Sequence, residues 1–164
     1  MGSGFGSAMV VPGTGVTLNN FMNWFDLEPK SPNAIGPLKK NEMCMSPVQV
    51  WDDGGLRLLI GTPGSHGILQ TTPQMIMNVL DHDMNVQAAI EAPRAKTQRG
   101  CQIGAENRIG EEVFARLEER GHEIERLGDW TVGVGGGQGI MIDPDSGSFT
   151  GGADPRRDGY ALGW

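Results

Sequence analysis

The stretch SPVQVWDDGGLRLLIG, Ser46 to Gly61, decides the fold class. Val48, Val50, Leu56, Leu58 and Ile60 alternate with other side chains, the two-residue period of a strand with one buried face. Asp53-Gly54-Gly55 interrupts the alternation with residues that favour tight hairpin turns. The sequence therefore predicts an antiparallel hairpin. Directly after it, Gly61-Thr62-Pro63-Gly64-Ser65-His66-Gly67 leads into a segment with helical spacing, in which Leu69, Ile76 and Leu80 share a face and Met75, Met77 and Val79 widen it. Pro73 either opens a helix capped by Thr72 or kinks a longer one.

Outward from this centre the pattern repeats. Asn85 to Glu91 reads as a second helix stopped by Pro93. Gly110 to Arg120 reads as a third, with Val113, Phe114 and Leu117 inward and Gly121 at its end. His122 to Leu127 reads as a strand, and Ile140-Met141-Ile142, Asp143 to Gly147 and Ser148 to Thr150 as strand, turn and strand. Toward the N-terminus, Ala8 to Val11 reads as a buried strand turned by Pro12-Gly13, with a second strand from Val16 to Leu18. Phe21, Met22, Trp24 and Phe25 form an apolar cluster. Asp26 to Lys40, with three prolines and Gly36, reads as an irregular loop. Met1 to Ser7 reads partly as a cloning remnant, and the tail from Ala153 as polar and irregular. Hairpins separated by helices predict an α+β domain dominated by antiparallel strands over residues 1–164.

Composition narrows the function classes. At 164 residues and 38% hydrophobic content the chain is long enough for one sizeable core. A net charge of -7, with basic residues that form no stripe and isolated pairs at Lys39-Lys40 and Arg156-Arg157 that read as solvated surface or local ion pairing, argues against nucleic acid as a partner. No apolar run is long enough for a membrane span, and no signal-peptide pattern is visible; the compartment stays open. Cys44 and Cys101 form no CxxC pair and read as buried reduced thiols. His66, His82 and His122 lie in no metal-ligand spacing, so no metal and no cofactor is expected.

Two segments carry possible chemistry. Gly133 to Gly139, GVGGGQG, contains a GxGxxG-like string. It is followed by a strand rather than a helix, which rules out a dinucleotide fingerprint and leaves close backbone packing as its purpose. Gly61 to Gly67 ends one strand and opens a helix, and its consecutive small residues can aim backbone N–H groups at an anion, as an oxyanion hole does. Taken alone, an ordinary turn accounts for them. Met43-Cys44-Met45 shows neither base nor helix N-terminus beside the thiol and reads as core or pocket lining.

FGSAMVVPGTGVTLNN (Phe5 to Asn20), Met45-Ser46-Pro47, GTPGS (Gly61 to Ser65), MNV (Met84 to Val86), EAPR (Glu91 to Arg94) and ADPR (Ala153 to Arg156) occur in the order and rough spacing of one family. Together they resemble the gamma-glutamyltranspeptidase family, over almost the whole chain. The resemblance implies the αββα sandwich of an N-terminal-nucleophile hydrolase, with two antiparallel sheets between helices, made by self-cleavage of a precursor. A threonine at the new N-terminus of the small subunit attacks an amide carbonyl. That threonine's segment is not among these residues; Thr14 and Thr17 fall inside the strand-and-turn motif. The chain then corresponds to the C-terminal part of the small subunit, inactive alone. Its expected partners are the large subunit and the N-terminal part of the small one, and an uncovered sheet edge or apolar face invites self-association.

The resemblance places the oxyanion hole at the backbone N–H groups of Gly64 and Ser65. It places substrate contacts at Phe21, Trp24, Met43 and Cys44. Family members carry polar or acidic residues at the first two of these positions and a Ser-Ser pair at the last two, holding a glutamyl head group. Apolar Phe21, Trp24 and Met43 provide none of those charge-assisted contacts. A small-molecule amide with a more apolar acyl group, as in cephalosporin-acylase-like relatives, is the expected substrate in place of a gamma-glutamyl compound. A stand-alone, non-catalytic interaction module derived from the family is the second reading.

Overall fold

A computed structural model describes residues 4–163; Met1 to Ser3 of the glycine-serine leader and Trp164 of the tail lie outside the described residues. The chain divides into two compact units, Met1–Met43 and Cys44–Trp164.

The first unit is built of turns. Val10 and Thr17 form an isolated antiparallel bridge, flanked by Val11 N–H to Val16 O (2.9 Å) and Leu18 N–H to Met9 O (2.9 Å). The buried strand expected at Ala8 to Val11 is thus a single bridge, with Met9, Val10, Val16 and Leu18 exposed. Phe21–Trp24 forms one 3-10 turn. Asp26 and Ala34 bridge across the proline-rich loop, which is irregular as expected.

The second unit holds the regular structure. Strands β1 (Val48–Asp52) and β2 (Gly55–Gly61) form the expected hairpin, with a register shift between Val50 and Trp51. A short 3-10 turn, Ser65–Gly67, runs into helix α1 (Ile68–Leu80), and Asn85 caps α2 (Val86–Glu91) by accepting the Ala88 N–H at 2.9 Å. Then follow β3 (Ala95–Thr97), β4 (Gln102–Ala105), α3 (Glu111–Glu119), β5 (Glu123–Arg126), β6 (Gln138–Ile142) and β7 (Phe149–Ala153). One sheet has the order β1-β2-β6-β7 with every neighbour antiparallel. The other, β3-β4-β5, pairs β4 and β5 in parallel, with α3 as the crossover. The architecture is α+β with antiparallel strands dominant.

Helices α1 and α2 cover one face of the four-stranded sheet. Leu58, Ile60, Met75, Val86 and Ile90 form the buried core there. Burying such side chains contributes about 1.5–3 kcal/mol each relative to exposure. Two glycines make the close approach possible. Gly139 and Gly152 are register partners on β6 and β7. A Cβ on Gly139 would stand 2.8 Å from Val86 Cγ2, and one on Gly152 3.2 Å from the backbone N of Gln87. The opposite face is open and apolar: Leu59, Ile140, Ile142 and Phe149 line a groove of about 620 Å³ with Ala161 and Leu162 of the tail.

Several expectations need correction. Helix α1 runs through Pro73, so the proline lies inside a longer helix, and the buried stripe is Ile68, Thr71, Thr72 and Met75. Leu69, Met77 and Leu80 are exposed. Thr71 tolerates burial by donating its hydroxyl to Gly67 O at 3.0 Å, whereas Thr72 Oγ1 is buried without a hydrogen-bond partner among the described residues. In α3, Phe114 is buried but Val113 is exposed. Cys44 is buried and Cys101 exposed. The tail is not uniformly solvated, because Asp154 and Arg156 are buried.

Candidate active site

The turn between β2 and α1 is held in an unusual backbone conformation. Gly64 has φ 141° and ψ 23°, and Ser65 has φ 56°. A serine in the left-handed region carries a strain of about 1 kcal/mol, an outlier of the kind concentrated at functional sites. Among the described residues, the backbone N–H groups of Gly64 and Ser65 make no hydrogen bond. Two consecutive unused donors at the entry to a helix are what an oxyanion requires.

The glycine-rich segment is the wall behind this turn. Gly135 has φ 100°, and a Cβ there would stand 2.3 Å from Thr62 Oγ1 and 2.7 Å from Pro63 O. A Cβ on Gly64 would in turn meet Gly135 Cα at 3.3 Å. Gly136 N–H donates to Thr62 Oγ1 at 2.8 Å, and Thr62 Oγ1 donates to Pro63 O at 2.8 Å. Close packing is thus the purpose of GVGGGQG, as the sequence implied.

Beneath the wall lies a buried ion cluster. Arg94 and Asp154 pair at 2.5 Å, Arg156 and Glu106 at 2.5 Å, and Arg156 and Asp154 at 3.0 Å, all with fully buried side chains. Asp154 also accepts Gly137 N–H at 2.8 Å, so the cluster anchors the glycine segment directly. Arg94 and Arg156 both donate to Ile90 O, at 2.6 and 3.1 Å. Glu106 accepts the backbone N–H of Thr131 at 3.1 Å and of Arg94 at 3.0 Å. Burial opposes the ionised form of both carboxyls. Hydrogen bonds outweigh it, from Arg156, Thr131 and Arg94 on Glu106 and from Arg94, Arg156 and Gly137 on Asp154, so both stay below their ordinary pKa range. Sequence reading left Arg156 as solvated surface or local ion pairing, of which ion pairing is found, and assigned no role to Arg94, Glu106, Asp154 or Thr62. The usable signal was that EAPR and ADPR each place an arginine in a family motif, where the structure pairs Arg94 with Asp154 and Arg156 with Glu106 and Asp154.

Within the first unit, a cavity of about 530 Å³ is lined by Asn19, Phe21, Met22, Phe25, Lys39, Lys40, Asn41 and Met43. Two asparagines set its shape. Asn41 donates to Phe21 O at 3.0 Å, while Asn33 donates to Trp24 O at 2.5 Å and accepts the Glu42 N–H at 2.9 Å. Both ends of the 3-10 turn are therefore clamped to the strand-like segment before Met43. Of the four residues expected to contact substrate, Phe21 and Met43 come together here. Trp24 sits on the same turn without lining the cavity, and Cys44 is buried in the second unit. Among the described residues no group of three or more His, Cys, Asp or Glu could hold a metal ion, and no helix is long and apolar enough to cross a membrane.

The sequence matches the model of the family described as Gamma-glutamyltranspeptidase over residues 1–164. It is 33% identical over 159 residues to the glutathione hydrolase proenzyme of Bacillus subtilis strain 168, covering 97% of this chain and 27% of that protein. It is 37% identical over 155 residues to the Acylase ACY 1 proenzyme of Pseudomonas sp. strain SE83, covering 94% and 27%. In three dimensions it is similar to a cephalosporin acylase from Bacillus halodurans, with a TM-score of 0.88 at 35% identity over 98% of this chain and 30% of that one. The chain thus spans about a quarter of the length of these curated relatives (27%). With a family match along its full length, and with GTPGS forming the turn and EAPR and ADPR the buried anchor, the chain belongs to the gamma-glutamyltranspeptidase family.

Proposed function

We propose that this chain supplies the oxyanion hole and part of the acyl-recognition surface of an N-terminal-nucleophile amidohydrolase or acyltransferase. The observation that carries the reading is the Gly64–Ser65 turn, whose two N–H groups are unused and whose geometry is fixed from behind. The nucleophilic threonine comes from a part of the protein outside these residues, as the much greater length of the relatives and their description as proenzymes support. The threonine hydroxyl adds to the amide carbonyl. Its proton passes to the α-amine and then to the leaving amine as the C–N bond breaks. Water or an acceptor amine then attacks the acyl ester and gives up a proton, the ester C–O bond breaks, and the threonine hydroxyl is restored. Through both halves the carbonyl oxygen carries negative charge, and each well-aimed N–H stabilises it by about 3 kcal/mol.

The acyl group is apolar in this reading. The cavity around Phe21 and Met43 has no carboxylate in its lining, and its only charges are those of Lys39 and Lys40. A glutamyl α-ammonium would meet like charge and apolar surface there instead of an acidic partner. The remaining subunit portions are the partners. The open apolar face of Leu59, Ile140, Ile142 and Phe149 fits a second sheet stacked on it, and left uncovered it would drive self-association.

The test is amidase activity on acyl anilides, measured for the chain alone and after co-expression with the N-terminal remainder of the protein. Activity only in the complex is expected. A stable complex without activity would favour a non-catalytic module. In the active complex, faster cleavage of a gamma-glutamyl anilide than of its des-amino analogue would overturn the apolar-acyl reading.

A further inference from the structure

Thr62 is half-buried at the end of β2, and its hydroxyl is the centre of a two-bond relay. It receives Gly136 N–H at 2.8 Å and gives its own proton to Pro63 O at 2.8 Å. The accepting carbonyl belongs to the same peptide unit as Gly64 N–H. That unit is planar and trans, so its C=O and N–H point in opposite directions and cannot turn independently. Fixing Pro63 O therefore fixes the line along which Gly64 N–H points. Gly64 itself, with φ 141°, imposes no steric preference of its own. The relay is also polarised in a useful sense. Donation from Gly136 makes the Thr62 hydroxyl a stronger donor to Pro63, and electron density pushed toward that carbonyl oxygen is accommodated by the bond. The far end of the relay is anchored, because the next N–H, that of Gly137, is held by buried Asp154 at 2.8 Å.

We propose that Thr62 is a positioning residue of the reaction: its hydroxyl locks the Pro63–Gly64 peptide so that Gly64 N–H is aimed before substrate arrives. The inference rests on reading the Gly64–Ser65 turn as the oxyanion hole. Valine is the same shape without the hydroxyl, so Thr62→Val removes the relay, while Thr62→Ser keeps it.

The experiment uses the assembled mature enzyme that contains this chain, with kcat and KM measured on an acyl anilide alongside thermal unfolding. Thr62→Val is expected to lower kcat by about tenfold to a hundredfold with KM nearly unchanged, the signature of an interaction made in the transition state. Thr62→Ser is expected to stay within about threefold of wild type, since it retains the donor and acceptor. A valine variant with wild-type kcat, or a serine variant as slow as the valine one, overturns the proposal. Should the valine variant not mature, Thr62→Ala is read against Thr62→Ser in the same way. Replacing Gly64 by glycolic acid, which removes its N–H and weakens Pro63 O as an acceptor without adding a side chain, tests the oxyanion reading itself. If that change leaves kcat intact, the oxyanion reading itself is wrong. If it abolishes activity while Thr62→Val does not, only the role of Thr62 falls.

Discussion

Residues 4–43 and residues 44–163 are stabilised by different physics. Among the described residues of the first unit none is buried, and its shape comes from turn hydrogen bonds and from the side chains of Asn33 and Asn41. In the second unit a core on the helix-covered sheet face is joined to four buried ionised side chains. The surface unit carries residues expected to discriminate substrates, and the core-bearing unit carries the donors expected to do chemistry. A recognition surface made of turns changes at little cost to folding, whereas an oxyanion donor has to be held by elements that do not move.

The largest break in this contrast should come from the ion cluster. Asp154→Ala leaves Arg94 buried without its partner and frees Gly137 N–H, and about 3–5 kcal/mol of destabilisation is expected, read as a fall in the melting temperature of the isolated chain. A change under about 1 kcal/mol would mean that the cluster is not the anchor described here. Next is Gly135→Ala, which forces a Cβ toward Thr62 Oγ1 and Pro63 O at φ 100°. About 1–3 kcal/mol of stability and most of the amidase activity of the assembled enzyme should go together; full activity would detach the glycine wall from the site.

Acid should act on the second unit selectively. Glu106 and Asp154 have folded-state pKa values below the ordinary ones, so their contribution is complete above the usual carboxylate range and is lost as the pH falls through the depressed values. Denaturation of the chain followed from neutral to strongly acidic pH should show this loss, and Asp154→Asn should flatten it. An unchanged acid limb in that variant would count against the assignment. The smallest effect belongs to the surface unit. Asn33→Ala removes the clamp on Trp24 O and Glu42 N–H and should cost about 1 kcal/mol locally. Faster proteolysis between Asp26 and Met43, with an unchanged melting temperature for the rest, is the expected result. A shift of the main transition would show that the two units fold as one.

The same contrast explains which expectations the sequence supported. The hairpin at Ser46 to Gly61, helix α2 and the β6–β7 hairpin were readable because alternation and turn residues are local, though the Asn85 cap was read as part of the helix. Strands β3 and β4 were not, since Ala95–Thr97 and Gln102–Ala105 are too short to show a period, although a turn between Gln98 and Gln102 joins them directly. The Ala8 to Val11 run looked like a buried strand because apolarity was taken for burial, yet nothing in the first unit covers Met9 or Val10.

The sequence by itself determined the α+β class and the family motifs, because turn chemistry and short-range periodicity are written in neighbouring residues. Only the tertiary structure decided that Thr62 hydrogen-bonds Gly136 across 74 positions and that Arg94 pairs with Asp154 across 60. It alone sorted Phe21 and Met43 into one cavity without Trp24. These are contacts between segments distant in the chain, and a buried charge looks the same in sequence as a solvated one until its partner is brought to it.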